Sequence, residues 1–194
     1  MSQDVPSHRQ PAPGELELVR AFVNTLDVED ATDDVATPEA LGAWLREHDL
    51  LDEGEVAGVS GADVRRAAEV REALRETLLG NHGDYEVDPA AAEALDAAAR
   101  RAKLGVRFSA EGEARVEPGA SGAAGALGRL LTIVARAQSE GTWARLKACP
   151  ADTCRWAFWD RSRNRSAVWC NMAICGNRAK ARSYRERHLQ SGLP

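Results

Sequence analysis

Apolar residues recur at three- and four-residue steps along much of the chain, the repeat that gathers them on one face of a helix. Leu16, Val19, Phe22, Val23 and Leu26 open the series and predict a first core helix. Thr37-Pro38-Glu39 joins a capping hydroxyl to a proline at the first helical position and an early carboxylate. The second helix therefore starts there and runs to about His48, burying Leu41, Trp44 and Leu45. A proline-free stretch from Gly61 to Leu79 sets Val64, Ala67, Ala68, Arg71, Leu74, Arg75 and Leu78 along a long helix. Gly80, Asn81 and Gly83 end it. Asp88-Pro89 repeats the cap-then-proline signal and starts an alanine-rich helix reaching about Leu104. Residues 124–139, with Leu127, Leu130, Leu131, Ile133 and Val134, supply one more, closed by Gly141.

Elsewhere the period is two. Val106-Arg107-Phe108 and Ala114-Arg115-Val116 alternate around Glu111-Gly112-Glu113, which predicts a β-hairpin. Further on, residues 155–159 and Ala167-Val168-Trp169 read as two strands joined by the polar loop 160–165. Trp156, Trp159 and Trp169 at their alternating positions suit the core of a small module better than a platform for unpaired bases. From Asn177 the chain turns helical, with Asn177, Ala181, Tyr184 and His188 on one face and Arg178, Arg182 and Arg185 on another. No internal repeat interrupts this order. The expected fold is α+β and mostly α: a disordered, proline-containing leader (1–14), an α-rich domain with one β-hairpin (15–142), and a small C-terminal module of hairpin plus helix, treble-clef-like (143–194).

Composition supports a folded chain, at 44% hydrophobic and 28% charged residues. Charged residues interrupt every apolar run before it could cross a bilayer, and the leader has no signal-peptide core, so the expected address is the cytoplasm. A net charge of −5 argues against a nucleic-acid partner until it is resolved along the chain. Residues 143–194 hold 11 Lys and Arg against 3 Asp and Glu, so they carry +8 and leave −13 to the rest. An acidic body thus carries a basic tail.

The tail also holds all four cysteines, Cys149 and Cys154, then fifteen residues, then Cys170 and Cys175. Two short pairs at this separation match tetrahedral Cys₄ zinc, one ion per chain. Two disulfides are disfavoured in a reducing compartment; an iron–sulfur centre accepts the same donors and stays as the main alternative. Four thiolates leave no open coordination position, so the metal would be structural. A module of some 50 residues would draw much of its folding free energy from it.

The run Trp169-Cys170-Asn171-Met172-Ala173-Ile174-Cys175-Gly176-Asn177-Arg178-Ala179-Lys180 resembles the CGNR zinc-finger family, named for the residues at 175–178. The likeness extends upstream through Phe158 and residues 160–164 to the first cysteine pair, and downstream to Tyr184 and Arg185. Members usually carry an N-terminal domain called ABATE, described as a stress-induced transcription regulator. Its first helix tends to hold a Phe-Val-Asn-Thr segment, which Phe22-Val23-Asn24-Thr25 resembles, and residues 71–75 are similar to its long helix. The resemblance implies a zinc-dependent, DNA-binding regulator. In one departure, Ala167 and Val168 stand where many relatives place two arginines, which removes two phosphate contacts and gives a role in protein contact some ground.

Arg161, Arg163, Arg165, Arg178, Lys180, Arg182 and Arg185 are the candidate nucleic-acid contacts, the bland alternative being a solvated basic face. Asn24, Arg71 and Arg75, polar groups on core helices, are candidates for a small-molecule effector pocket, against the simpler expectation that they bridge helices. Phosphate-loop, nucleophile-elbow and zinc-protease motifs are missing, and no enzyme is expected. A homodimer is compatible with the pattern. Three classes of function remain: a DNA-binding regulator, an RNA-binding module, and a protein adaptor with a purely structural finger.

Overall fold

A computed structural model describes residues 10–190. The first nine residues of the expected leader lie outside the described residues. Ala12 is already part of the fold: it is buried, and its N–H donates to the Glu17 carboxylate at 2.6 Å. Packing therefore begins earlier than a leader ending at residue 14 allows.

Six α-helices follow in order among the described residues, with three short antiparallel hairpins between them. Helix α1 (Leu16–Val23) leads into β1 (Leu26–Asp27) and β2 (Thr32–Asp33), a two-residue ladder that hydrophobic alternation is too short to reveal. Helix α2 (Pro38–Glu47) starts where the Thr37 hydroxyl accepts the Ala40 N–H. The spine is α3 (Gly61–Gly80), opened by a reciprocal box in which Ser60 and Asp63 satisfy each other's backbone N–H. Helix α4 (Pro89–Arg101) is capped by Asp88, and β3 (Leu104–Phe108) pairs with β4 (Ala114–Pro118) so that Val106 faces Val116. Helix α5 (Gly122–Ser139) packs on α1 and on the root of that hairpin. A Cβ at Gly128 would lie 2.6 Å from Ala102, so only glycine lets α5 approach the root so closely.

The core gathers Val19, Phe22 and Val23 of α1, Leu41 and Leu45 of α2, Leu74 and Leu78 of α3 and Leu130 of α5, all fully buried. It continues past residue 142. Trp143, Leu146, Ala148 and Ala157 belong to the same cluster. Strand β5 (Leu146–Ala148) packs on α3 and pairs with β6 (Ala157–Trp159). The expected division at 142/143 therefore cuts through one shared core, because half of the finger's hairpin closes the body. The expected strand at 167–169 does not form; β6 pairs with a segment on the other side of the first cysteine pair. After an irregular stretch, a π-helical turn (Met172–Gly176) leads into α6 (Asn177–Gln190).

Candidate metal centre

The turn between β5 and β6 carries the first cysteine pair. Cys149 N–H donates to the Trp156 carbonyl at 2.9 Å, extending the ladder by one step, and Cys154 N–H donates to the Ala151 carbonyl at 2.9 Å. Arg155 then adopts φ +55°, a left-handed conformation that an L side chain resists. Its carbonyl accepts Arg75 Nη1 at 2.6 Å, so the body holds that strained residue in place.

The second pair brackets the start of the last helix. The Asn171 side-chain oxygen accepts the N–H groups of Ala173 and Ile174, and its carbonyl accepts Cys175 N–H at 2.9 Å. Such a cap fixes the turn between Cys170 and Cys175. A short polar side chain just ahead of a helix is a readable capping signal, and it is the part of this site that sequence reasoning missed.

These two devices bring four buried sulfurs within 4.8 Å of one another. Cys154 and Cys170 Sγ stand 3.5 Å apart, and Cys170 and Cys175 Sγ 3.8 Å. A regular tetrahedron with zinc–sulfur bonds of about 2.3 Å has edges of about 3.8 Å, so the donor set fits the ion. Electrostatics agrees. Hydrogen bonds from Cys154 and then Cys170 pull the Cys149 thiol down to about 2. The bond with Cys149 pushes Cys154 up to about 12, and it raises Cys170 as well. Burial raises Cys175. Four thiolates this close need a divalent cation to share. The site holds one structural zinc, which cross-links the β5–β6 turn to the start of α6 and leaves no position for substrate.

On the β5–β6 hairpin and just past its end, Lys147 and Asp160 form a buried ion pair at 2.9 Å, with side chains 4% and 0% exposed. Lys147 also donates to the carbonyls of Arg165 and Ala167, while the Asp160 carboxylate accepts the N–H groups of Ser162 and Ala167. Burial alone would raise the Asp160 carboxyl, but these bonds, from Ser162 first and then Lys147, hold it below the usual range. The loop bearing Arg161, Arg163 and Arg165 is tied down at both ends by this pair, and all three arginines stay exposed.

Asn24, Arg71 and Arg75, candidates for an effector pocket or for bridging, take the bridging role: they are latches. Asn24 Nδ2 donates to the Ala157 carbonyl at 2.9 Å and its Oδ1 accepts the Ala157 N–H at 2.7 Å, so one amide acts as a partner strand for β6. Arg71 binds both oxygens of Asp33, whose carboxyl it holds below the usual range. Arg75 serves the carbonyls of Val23, Leu26 and Arg155, with Glu72 beside it. Among the described residues no buried side-chain N or O lacks a partner.

Arg178, Lys180, Arg182 and Arg185 lie on α6, where every residue from 177 to 188 except Ala179 is exposed. Arg178 is engaged: its guanidinium meets Glu29, from the β1–β2 turn, at 2.7 Å. Each residue at 175–178 has a structural task. Cys175 is a ligand, Asn177 Nδ2 donates to the Ala173 carbonyl, and Arg178 reaches the body. A Cβ at Gly176 would overlap the Met172 sulfur and lie 3.1 Å from Trp169.

Comparison with known families finds two matches along the chain. Residues 145–188 match the CGNR zinc finger, and residues 16–140 match ABATE, described as a "putative stress-induced transcription regulator". No curated protein matches the chain. No described helix is long and apolar enough to cross a membrane. With the ABATE match alone covering well over half of the 194 residues, the chain belongs to the ABATE family and ends in a CGNR zinc finger.

Proposed function

We propose that this chain is a cytoplasmic, zinc-dependent, DNA-binding transcription regulator without catalytic activity, in which residues 161–165 and α6 meet the duplex while the body, residues 15–142, assembles the protein. The observation that carries this is the exposure of α6. Its first twelve residues bring Arg178, Lys180, Arg182, Arg185 and Arg187 against one acid, Glu186. They do so on a metal-fixed scaffold whose segment carries +8 beside a body at −13. A basic, rigidly presented helix suits phosphate contact and insertion into a groove. Exposed Val168, Met172 and Ile174 beside the finger favour a protein adaptor as the second reading.

A mobility-shift titration with genomic fragments at two salt concentrations tests both. Replacing Arg178, Arg182 and Arg185 together by Gln should weaken duplex binding and flatten its salt dependence by about one unit of slope per lost phosphate contact. Neutralising Lys180 and Arg187 should matter less. A preference for single strands would favour RNA, and absence of any polyanion binding would favour the adaptor.

Glu29 occupies Arg178 in the free protein, so Glu29→Gln should tighten DNA binding. An exposed, solvent-screened pair of this kind contributes little, which limits the gain to a few-fold. In the triple-Gln variant the same change should have no effect. A gain that survived there would mean that Glu29 acts through general repulsion rather than through Arg178.

A further inference from the structure

The β3–β4 hairpin leaves the body as an arm. Its root is packed, with Gly128 of α5 against Ala102, Pro118 and Leu104. Beyond the root, one face carries Val106 opposite Val116 and Phe108 opposite Ala114. Val106 is 58% exposed, Phe108 74% and Val116 45%. Two strands alone are marginal in water, and a contiguous apolar face on such an arm is the mark of an interface. The basic part is the root: residues 100–107 hold Arg100, Arg101, Lys103 and Arg107 and no acid, whereas the tip and β4 carry Glu111, Glu113 and Glu117 with Arg115, which pairs with Glu113.

A surface of complementary character lies at the other end of α4. An open groove of about 650 Å³ runs between α3 and residues 85–94. Ala73, Val87 and Ala91 contribute apolar lining, and Glu69, Glu72 and Glu86 carry negative charge along it. Glu72 is committed to Arg71 and Arg75, whereas Glu69 and Glu86 are exposed.

We propose that the arm of one chain fills this groove on a second copy, and the reverse, in a two-fold dimer. Helix α4 is the spacer. Its 13 residues span about 20 Å, with the groove at its N-terminal end and the arm leaving just past its C-terminal end. A two-fold axis passing beside the middle of α4, perpendicular to it, sets the two helices antiparallel, and each arm then meets the other chain's groove. Both contacts are equivalent, so the assembly closes at two chains. Apolar side chains enter the groove while the basic root, Arg100, Arg101 and Lys103, meets its carboxylates at Glu69 and Glu86. The arrangement holds whether or not the finger binds DNA.

Sedimentation of the full zinc-loaded chain at micromolar concentration tests this. Wild type should run as a dimer. Phe108→Glu should run as a monomer with unchanged zinc content and helicity, since the side chain it replaces is exposed. The pair Glu69→Lys and Glu86→Lys, made together in an otherwise intact chain, should also run as a monomer. Mixing the two variants should restore dimers, because the intact arm of one meets the intact groove of the other. A monomeric wild type overturns the proposal, as does a dimer that survives Phe108→Glu. A groove variant that remains dimeric shows an arm-to-arm contact and overturns it equally, as do variants that stay monomeric when mixed.

Discussion

Cys170→Ser will empty the metal site and lower the melting temperature of the whole chain, not of the finger alone. Serine supplies no thiolate, and three remaining sulfurs cannot complete the tetrahedron that the cysteine cluster forms. Structural zinc binds zinc-finger peptides with an apparent free energy of about 10–16 kcal/mol, as large as the whole stability of an ordinary domain at about 5–15 kcal/mol. The loss spreads because the finger is not an appendage. Leu146, Ala148 and Ala157 sit in the body's core, and Asn24 and Arg75 grip the turn from α1 and α3. If a third of the zinc contribution reaches the body, the midpoint falls by about 10 °C or more. Calorimetry beside elemental analysis is the check. The expected record is zinc near one per wild-type chain, zinc absent from the variant, and a single transition shifted downward. A variant that loses zinc while the main transition stays put would restore the boundary at 142/143, and iron in the wild type would overturn the metal assignment.

That boundary shows where sequence reading stops. Helix starts were legible because Thr37-Pro38 and Asp88-Pro89 write their caps into adjacent residues. The metal ligands were legible because chelation by thiolates demands short spacings. What was illegible depends on partners far away in the chain. Asn24 reads as a buried polar residue in want of a partner, but that partner is the backbone of Ala157, 133 residues on, and nothing local announces it. Arg71 and Arg75 stand out as polar groups on a core face, a pattern that leaves helix bridging and a ligand pocket both open; bridging is what forms, and its acceptors, the carboxylate of Asp33 and backbone carbonyls, lie far along the chain. Strand β5 holds three residues, Leu146-Lys147-Ala148, too few to show a period and with a lysine at its centre. Of the alternating stretch 155–159 only Ala157–Trp159 forms a strand, while Ala167-Val168-Trp169, alike in composition, lies with its middle residue exposed and no ladder partner.

Lys147 at the centre of that strand carries the second large effect. Lys147→Met keeps the bulk of the side chain and removes the ammonium, leaving the Asp160 carboxylate fully buried without its counter-charge. Breaking a buried pair from one side costs about 3–5 kcal/mol, most of it the penalty of the stranded charge. The pH dependence separates this from a mere packing defect. In wild type the Asp160 carboxyl is held below its ordinary value, so its contribution to stability is complete above about pH 4 and is lost as the pH falls through the depressed folded value. In the variant the carboxyl loses the ammonium and rises relative to wild type, while Ser162 and Ala167 still donate to it. Its penalty is then full at neutral pH and relieved as acid protonates it. The stability difference between the two proteins should therefore shrink as the pH is lowered from 7 toward 4, and Asp160→Asn added to Lys147→Met should recover a substantial part of the loss at pH 7. Denaturant unfolding at several pH values measures both. Because the ammonium also holds the carbonyls of Arg165 and Ala167, the variant should present its loop arginines less firmly, and under the proposed function it should bind DNA more weakly even where it remains folded and zinc-loaded. A loss of stability that is flat with pH, and not recovered in the double variant, would mean that Lys147 acts only through its methylenes.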